Sequence, residues 1–256
     1  MARISTWATV FVLLISGTPA ASASPENAGV AGSVHHPVTT SSTLAQEAFD
    51  RGLLDYYAYN PAAAEHEFYT AADLDHHLAM AYWGIALSNA GNLNVDNTDD
   101  REQQAVYALD QAQSLERYAS PEERGLIAAA ALRFSTDRKA NSTTLLRNYR
   151  DAMRRLSDTY PNDADAAALY GESALYVATA GAANGKDTLT TQQRQAYVAR
   201  VASVLPYFQS ALSRFPNHPG LLHFFIHTAD EANEQQLAVD AANRLGSFTF
   251  PAEDSH

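Results

Sequence analysis

Residues 51–72 of the chain, RGLLDYYAYNPAAAEHEFYTAA, contain the pattern that decides the fold. Gly52 lies inside an apolar, helix-forming segment, and Asn60-Pro61 separates this segment from a second one. A glycine inside a helix costs about 1 kcal/mol relative to alanine, so Gly52 predicts a point where another helix approaches closely. The second segment carries a stripe of apolar residues at positions i, i+4 and i+7, namely Ala64, Phe68 and Ala71. The stretch therefore predicts two helices packed as a hairpin.

The same arrangement returns along the rest of the chain. Gly84 and Gly171 also lie within predicted helices, and Pro161 and Pro216 each end a helix before a new hairpin begins. The later stripes with the same spacing are Ala105/Leu109/Ala112, Tyr149/Met153/Leu156, Val204/Phe208/Ala211 and Ala238/Ala242/Leu245. A helix–turn–helix unit of about 34 residues with these features is the tetratricopeptide repeat. We therefore predict an all-α protein, a tetratricopeptide-like right-handed α-solenoid of about five helical hairpins.

The hydrophobic periodicity and the helix-breaking residues also predict where each helix lies. The predicted helices are residues 43–58, 61–74, 77–90, 101–116, 121–134, 141–159, 163–180, 190–214, 219–231 and 234–245.

The chain divides into four predicted parts. Residues 1–23 combine a positive start, an apolar run and an Ala-x-Ala site, which is typical of a secretory signal peptide. A flexible leader over 24–42 follows, then the repeat domain over 43–246 and a C-terminal tail over 247–256. The apolar run is shorter than the roughly 20 residues that a membrane span needs. We therefore predict an exported protein, periplasmic or secreted, without stable membrane insertion.

Composition narrows the functional classes. The 256 residues include 48 alanines, which favour helix, and no cysteine, which excludes disulfides, thiolate nucleophiles and cysteine-ligated metals. The formal charge is −12, from 17 Lys and Arg against 29 Asp and Glu, so no nucleic-acid partner is expected. The sequence also lacks a Gly-x-Ser-x-Gly elbow, a phosphate-binding loop and a dinucleotide fingerprint, and these absences favour a protein without catalytic activity.

Four segments carry a resemblance to a known family. Residues 79–84, AMAYWG, and 222–227, LHFFIH, resemble two signatures of a family of bacterial tetratricopeptide-repeat proteins, and residues 161–170 and 216–220 resemble further family segments. The likeness extends from Ala45 to Leu245 and implies a fold more firmly than an activity. Leu78 stands where relatives often carry Cys, and Asn60-Pro61 where they often carry Asn-His. Family members usually continue beyond the position of His256, so the chain is expected to be shortened at its C-terminus.

The predicted solenoid suggests a binding function. Stacked hairpins curve, and the first helix of each pair lines the concave face, where aromatic and Asn side chains suit an extended peptide. We therefore predict an exported, non-catalytic scaffold that binds a protein or peptide on this face. The predicted partner-binding residues are Tyr57, Trp83, Asn89, Tyr170 and Phe224.

The alternative function is metal binding or metalloenzyme activity at His223-x-x-x-His227. Histidines at i and i+4 on a helix project to one side, a geometry suited to Cu or Zn. The Glu that makes a metalloprotease motif is absent, and two ligands fall short of the four of a structural zinc site. The competing interpretation is a packed, hydrogen-bonded pair. A second pair, His35-His36, lies in the predicted leader, where we expect it to be solvated.

Overall fold

A computed structural model describes residues 34–93, 98–137, 139–182 and 186–248, and within these ranges every regular element is a helix. The α-helices are α1 (Thr43–Tyr57), α2 (Pro61–Leu74), α3 (Ala79–Ser88), α4 (Asp99–Ser114), α5 (Pro121–Ala131), α6 (Ser142–Thr159), α7 (Ala164–Thr179), α8 (Thr191–Ala202), α9 (Leu205–Arg214), α10 (Pro219–Glu231) and α11 (Val239–Leu245). Short 3-10 turns cover Glu116–Tyr118, Lys186–Thr188 and Gln235–Ala238. The predicted all-α class is confirmed. The predicted signal peptide over 1–23, the leader residues 24–33 and the tail residues 249–256 lie outside the described residues.

Most helices begin at a side chain that satisfies the first turn. A backbone N–H of that turn donates to the side chain that precedes the helix, so polar groups that the helix leaves unpaired are bonded locally. The residues that accept these hydrogen bonds are Ser42, Asn60, Thr98, Ser120, Asn141, Asp163, Thr190 and His218. Local chemistry therefore sets the helix starts, and the sequence pattern predicts them closely.

One predicted helix is broken in two. The segment predicted as a single helix over 190–214 forms α8 and α9, which are separated at Ser203 and Val204. Pro206, at the second position of α9, has no N–H to donate and its ring conflicts with the carbonyl four residues earlier. The apolar periodicity continues across the break, which is why the pattern alone predicts one helix.

The predicted close approach at glycine is confirmed. Phe68 of α2 lies between Gly52 of α1 and Gly84 of α3; a Cβ at Gly52 would lie 2.9 Å from the Phe68 ring, and a Cβ at Gly84 closer still. Gly171 of α7 stands in the same relation to Phe208 of α9, at 2.6 Å. In both places the large residue of a stripe fills the space left by a missing side chain.

The last apolar stripe differs from its prediction. Ala238 is buried, but Ala242 is exposed and Ala241 faces the core in its place. Residues Gln235–Ala238 form a 3-10 turn with about three residues per turn, instead of the 3.6 of an α-helix. This change in pitch shifts the register of α11, so the prediction for Ala242 is wrong.

The hairpins pack so that the last reaches the first. Except for α8 and α9, helices that follow each other along the chain pack against one another, and α1 also contacts α3, α3 contacts α5, and α7 contacts α10. In addition α10 packs against α1. Side chains of these two helices, among them Tyr57 and Phe224, are buried in the core.

The predicted partner-binding residues lie in this core. Tyr57, Trp83, Asn89 and Phe224 are buried, and Tyr170 is half-buried against Tyr207. The physical reason is the contact of α10 with α1, since Tyr57 and Phe224 pack edge to face across it with ring centroids 5.9 Å apart. In this structure these four side chains are therefore buried and do not lie on an exposed face.

In the part of the chain that the structure describes, none of the helices is both long enough and apolar enough to span a membrane.

Candidate metal centre

Residues 34–42, here called the strap, precede α1 and pack onto the helical body. The backbone N–H of His36 donates to Asp50 Oδ1 at 3.2 Å, and Gln46 Nε2 donates to the carbonyl of His36 at 2.8 Å. The N–H and hydroxyl of Thr39 both donate to the carboxylate of Glu123, at 2.6 and 2.5 Å.

This packing differs from the predicted flexible leader. The strap is held because its polar groups find partners on α1 and on the first turn of α5. His36 is 7% exposed, so the expectation of a solvated His35-His36 pair is wrong for His36. His35 is exposed and contacts Asp50.

The imidazole of His36 reaches the start of α7. Its Nδ1 lies 3.0 Å from Asp165 Oδ2 and 3.9 Å from Asp163 Oδ1. Asp165 Oδ1 accepts two further hydrogen bonds, from the Tyr57 hydroxyl at 2.7 Å and from His218 Nε2 at 2.9 Å. Side chains from the strap, α1, α7 and the start of α10 therefore meet around one carboxylate.

The residues of this cluster lie at the starts of helices. Asp163 and His218 are the capping residues of α7 and α10, and both follow a Pro-Asn pair. Glu122 and Asp165 are each the second residue of their helix, α5 and α7. The starts of α7 and α10 come together at Asp165, which His218 contacts, so residues far apart in sequence meet. Because Nδ1 of His218 accepts the Leu221 N–H, its Nε2 is the nitrogen that donates to Asp165.

Asp163 faces a second carboxyl. Its Oδ2 is buried and has no hydrogen-bond partner, while the carboxyl of Glu122 contacts Asp163. Burial, and then the charge of Asp163 and a hydrogen bond to it, raise the pKa of Glu122 to about 7. Burial and the charge of Asp165 also raise the pKa of Asp163. Two carboxyls in contact need a proton or a cation to neutralise them.

His36 and Asp165 form the charged part of the cluster. Burial alone lowers the pKa of His36, but its hydrogen bond to Asp165 and the nearby carboxylate charges outweigh this effect and raise the pKa to about 9. Burial would raise the pKa of Asp165, yet the hydrogen bonds from His218 and His36 hold it well below its usual range. The directions of these two shifts favour a charged His36 beside a charged Asp165.

The donor atoms have the spacing of metal ligands. His36 Nδ1 and one oxygen each from Asp163 and Asp165 all lie within 4.8 Å of one another. A tetrahedral zinc ion with ligands at 2.0–2.2 Å requires donor atoms about 3.3 Å apart, and the separations of 3.0 and 3.9 Å bracket this value. Among the described residues this is the one group of three or more His, Asp and Glu side chains with such spacing. Glu122 adds a carboxylate beside Asp163.

The sequence-predicted pair His223 and His227 does converge. The two Nε2 atoms are 3.0 Å apart, and His223 Nδ1 donates to the Tyr57 carbonyl at 2.5 Å. Within the described residues no third His, Asp or Glu side chain completes a metal group with them. Burial lowers the pKa of His223, and burial together with the charge of His223 lowers the pKa of His227 to about 4. This geometry matches the packed, hydrogen-bonded alternative.

Sequence reasoning does not select Asp163, Asp165 or Glu122 as ligands. The available signal is positional, because Asp163 caps α7, and Glu122 and Asp165 lie in the first turns of α5 and α7. His36 carries no such signal, since it lies outside the repeats.

Comparisons with protein-family models, with curated proteins and with solved structures give no match to the chain. The functional assignment therefore rests on the geometry of the site.

Proposed function

We propose that this protein binds a divalent transition-metal ion, with Zn²⁺ as the best fit, through His36, Asp163 and Asp165, with Glu122 as a fourth ligand. The observation that carries the proposal is the group of donor atoms from His36, Asp163 and Asp165, which all lie within 4.8 Å of one another at buried or half-buried positions. A mixed set of imidazole and carboxylate donors is one that zinc accepts.

The surrounding residues support this role. Tyr57 and His218 both donate to Asp165 Oδ1 and leave Oδ2 directed at His36. Such second contacts orient a ligand carboxylate and are a regular part of metal sites. A bound ion would neutralise the negative charges of Asp163 and Glu122. It would also join the strap to α5 and α7.

We also propose that the chain is a tetratricopeptide-like right-handed α-solenoid of the bacterial family that it resembles, and that it is exported to the periplasm or the medium. The packing of Phe68 between Gly52 and Gly84, and its repetition at Gly171 and Phe208, supports a repeat architecture. The apolar run and Ala-x-Ala site within residues 1–23 support export.

Isothermal titration of the metal-stripped protein with ZnCl₂ tests the metal proposal. We expect one ion per chain, and loss of that binding in Asp163→Asn, in which Asn keeps the helix cap but removes the charge. His66→Gln is the matched control, because His66 is exposed on α2. Equal zinc binding by Asp163→Asn and the original protein would refute the proposal, and loss of binding only in His223→Gln would place the site at the sequence-predicted pair.

A second candidate function, a protein- or peptide-binding scaffold, is favoured by an exposed aromatic patch. Tyr69 on α2 and Tyr107 on α4 are 50% and 67% exposed, and they lie near Tyr82 and Glu65. Exposed tyrosines supply contact area and hydrogen bonds at interfaces. Co-purification of a protein partner that is lost in Tyr69→Ser/Tyr107→Ser, with circular dichroism unchanged, would support this function. Retention of the same partner by the variant would exclude the patch.

A further inference from the structure

His223 and His227 on α10 direct their Nε2 atoms at each other, 3.0 Å apart. Both side chains are half-buried and therefore partly accessible to solvent. A metal–imidazole bond is about 2 Å long, so one ion can bond to two nitrogen atoms that lie up to about 4 Å apart. The pair is therefore close enough to hold one ion between its two Nε2 atoms.

His223 has the tautomer of a metal ligand. Its Nδ1 donates to the Tyr57 carbonyl at 2.5 Å, which leaves the lone pair of Nε2 as an acceptor. A hydrogen bond from the second ring nitrogen to a backbone carbonyl is a regular way in which proteins orient a histidine ligand. This nitrogen accepts the Nε2–H of His227.

An ion at this place requires no net loss of protons. Burial lowers the pKa of both His223 and His227, so both rings are neutral at pH 7. When the ion bonds to Nε2 of His227, the proton of that nitrogen is lost and Nδ1 of the same ring gains one. Each imidazole therefore remains neutral, which is the form that binds metal.

The surroundings of the pair favour an ion with a single positive charge. Within the described residues no third His, Asp or Glu side chain completes a metal group with the pair, and the chain has no cysteine. The charge of Asp230 acts on His227, but this side chain is exposed and its Oδ1 accepts a hydrogen bond from Gln235. No anionic ligand therefore balances a divalent ion, whose desolvation cost rises with the square of its charge.

The number of ligands also separates zinc from copper. Zn²⁺ takes four protein ligands in structural sites and three in catalytic sites, whereas the pair offers two. Cu(I) is monovalent, accepts imidazole nitrogen and is satisfied by two ligands on opposite sides of the ion. The pair therefore suits Cu(I) and not Zn²⁺.

Two aromatic rings cover the pair. The centroid of the Tyr59 ring lies 4.7 Å from that of His223 and 5.2 Å from that of His227. The Phe224 ring is stacked on His223 with an angle of 18° between the planes. An aromatic face attracts a monovalent cation within about 6 Å of its centroid. An ion between the two imidazoles would therefore lie beside the Tyr59 ring.

Tyr59 holds this position in a strained backbone conformation. Its φ is 57°, in the left-handed region that few residues other than glycine adopt. Residues held there cluster at ligand sites, where the surrounding structure maintains the strain. The turn between α1 and α2 thus places a tyrosine, and not a glycine, against the two histidines.

We propose that His223 and His227 bind one Cu(I) ion, with the Tyr59 ring as its cover. The site shares no ligand with the zinc centre proposed above. The two sites also differ in chemistry, because the carboxylate oxygens of Asp163 and Asp165 are hard donors that Cu(I) does not prefer.

Transfer of Cu(I) from its coloured bicinchoninate complex to the full chain, measured without oxygen, tests the proposal. We expect each chain to withdraw one Cu(I). His227→Gln removes one of the two ligands and should weaken the apparent affinity by more than about tenfold. The matched control is His66→Gln, since His66 is exposed, and it should withdraw Cu(I) as the original protein does.

Asp163→Asn separates the two proposed metal sites. It removes a ligand of the zinc centre and should leave the transfer of Cu(I) unchanged, whether or not that centre binds zinc. Loss of Cu(I) binding in this variant would place the copper at the other centre and overturn the proposal.

Tyr59→Leu tests the aromatic cover. It should weaken the affinity for Cu(I) about fivefold, the size of one cation–π contact, whereas Tyr59→Phe keeps the ring and should not. Equal affinities of Tyr59→Leu and the original protein would contradict the proposed cover.

X-ray absorption at the copper edge gives a readout that does not depend on the folding of a variant. For the original protein loaded with Cu(I) we expect two nitrogen neighbours with the outer scattering of imidazole rings. Three or more neighbours, no withdrawal of Cu(I) by the original protein, or equal withdrawal by His227→Gln would overturn the proposal.

Discussion

At the scale of single residues, the glycines of the leading helices have a steric function. Phe68 fills the space that Gly52 and Gly84 leave open, so the ring and the glycines specify one packing. The need for a glycine is readable from sequence because it interrupts a helical pattern, but the residue that occupies the space is identified only by the structure.

Gly84→Ala should destabilise the protein by about 1–3 kcal/mol, because the new methyl group overpacks against the Phe68 ring. The free energy of unfolding in urea measures this loss. Gly246→Ala is the control, since Gly246 has ordinary helical dihedral angles and its nearest contact for a Cβ is 3.3 Å away. If Gly84→Ala unfolds at the urea concentration of the original protein, the proposed close packing is wrong.

His227 gives the fold a sensitivity to acid. Its pKa is about 4 in the folded protein against 6.5 for an ordinary histidine, so only the unfolded chain takes up a proton as the pH falls from 6.5 to 4. The free energy of unfolding should therefore decrease over this range, and less steeply in His227→Gln. Urea titrations at several pH values measure the difference between the two proteins. A difference that stays constant from pH 6.5 to 4 would contradict the lowered pKa.

At the scale of elements, the helices were predictable and the strap was not. Helix starts follow from capping side chains within a few residues, and helix faces follow from apolar spacing, so both signals are local. The strap has no periodicity, and its partners Glu123 and Asp165 lie far along the chain. Its order therefore depends on tertiary contacts that a single sequence does not display, and for the same reason His36 was not predicted as a ligand.

Metal binding should fix the strap more firmly to the helices. The backbone N–H groups of His36, Val38 and Thr39 all donate to side chains of the body, so their hydrogen exchange reports whether the strap is docked. We expect Zn²⁺ to slow exchange at these amides.

The matched variant for this experiment is Asp163→Asn, in which Zn²⁺ should leave the strap amides unchanged. Amides within α2 serve as the internal reference, because none of the proposed ligands lies on that helix. Equal slowing in the variant and the original protein would show that docking of the strap does not depend on the proposed metal centre, which would contradict this prediction.

At the scale of the whole molecule, α10 near the end of the described chain contacts α1 near its start. This contact buries side chains that were predicted for a peptide-binding face. The polar groups that remain inside line a small cavity, which leaves about 10 Å³ for the centre of a water molecule. The helices are apparent from sequence, whereas the contact of α10 with α1 is not, because it joins helices that lie far apart along the chain.

The contact of α10 with α1 should make unfolding a single cooperative transition. Hairpins of an open solenoid contact only their neighbours and can unfold in parts, whereas here the last full hairpin also contacts the first. In urea, Trp83 fluorescence, which reports on α3, and circular dichroism, which reports on all helices, should give coincident curves. Separate midpoints for the two signals would show that this contact does not couple the hairpins.

The central claim is that His36, Asp163 and Asp165 form a metal site. The most direct test is a crystal structure of the zinc-loaded protein with diffraction data recorded at the zinc absorption edge. The predicted result is one anomalous peak about 2.1 Å from His36 Nδ1 and from an oxygen of each aspartate, a distance typical of zinc ligands. The contradicting result is no peak at this place, or a peak that lies instead between His223 and His227.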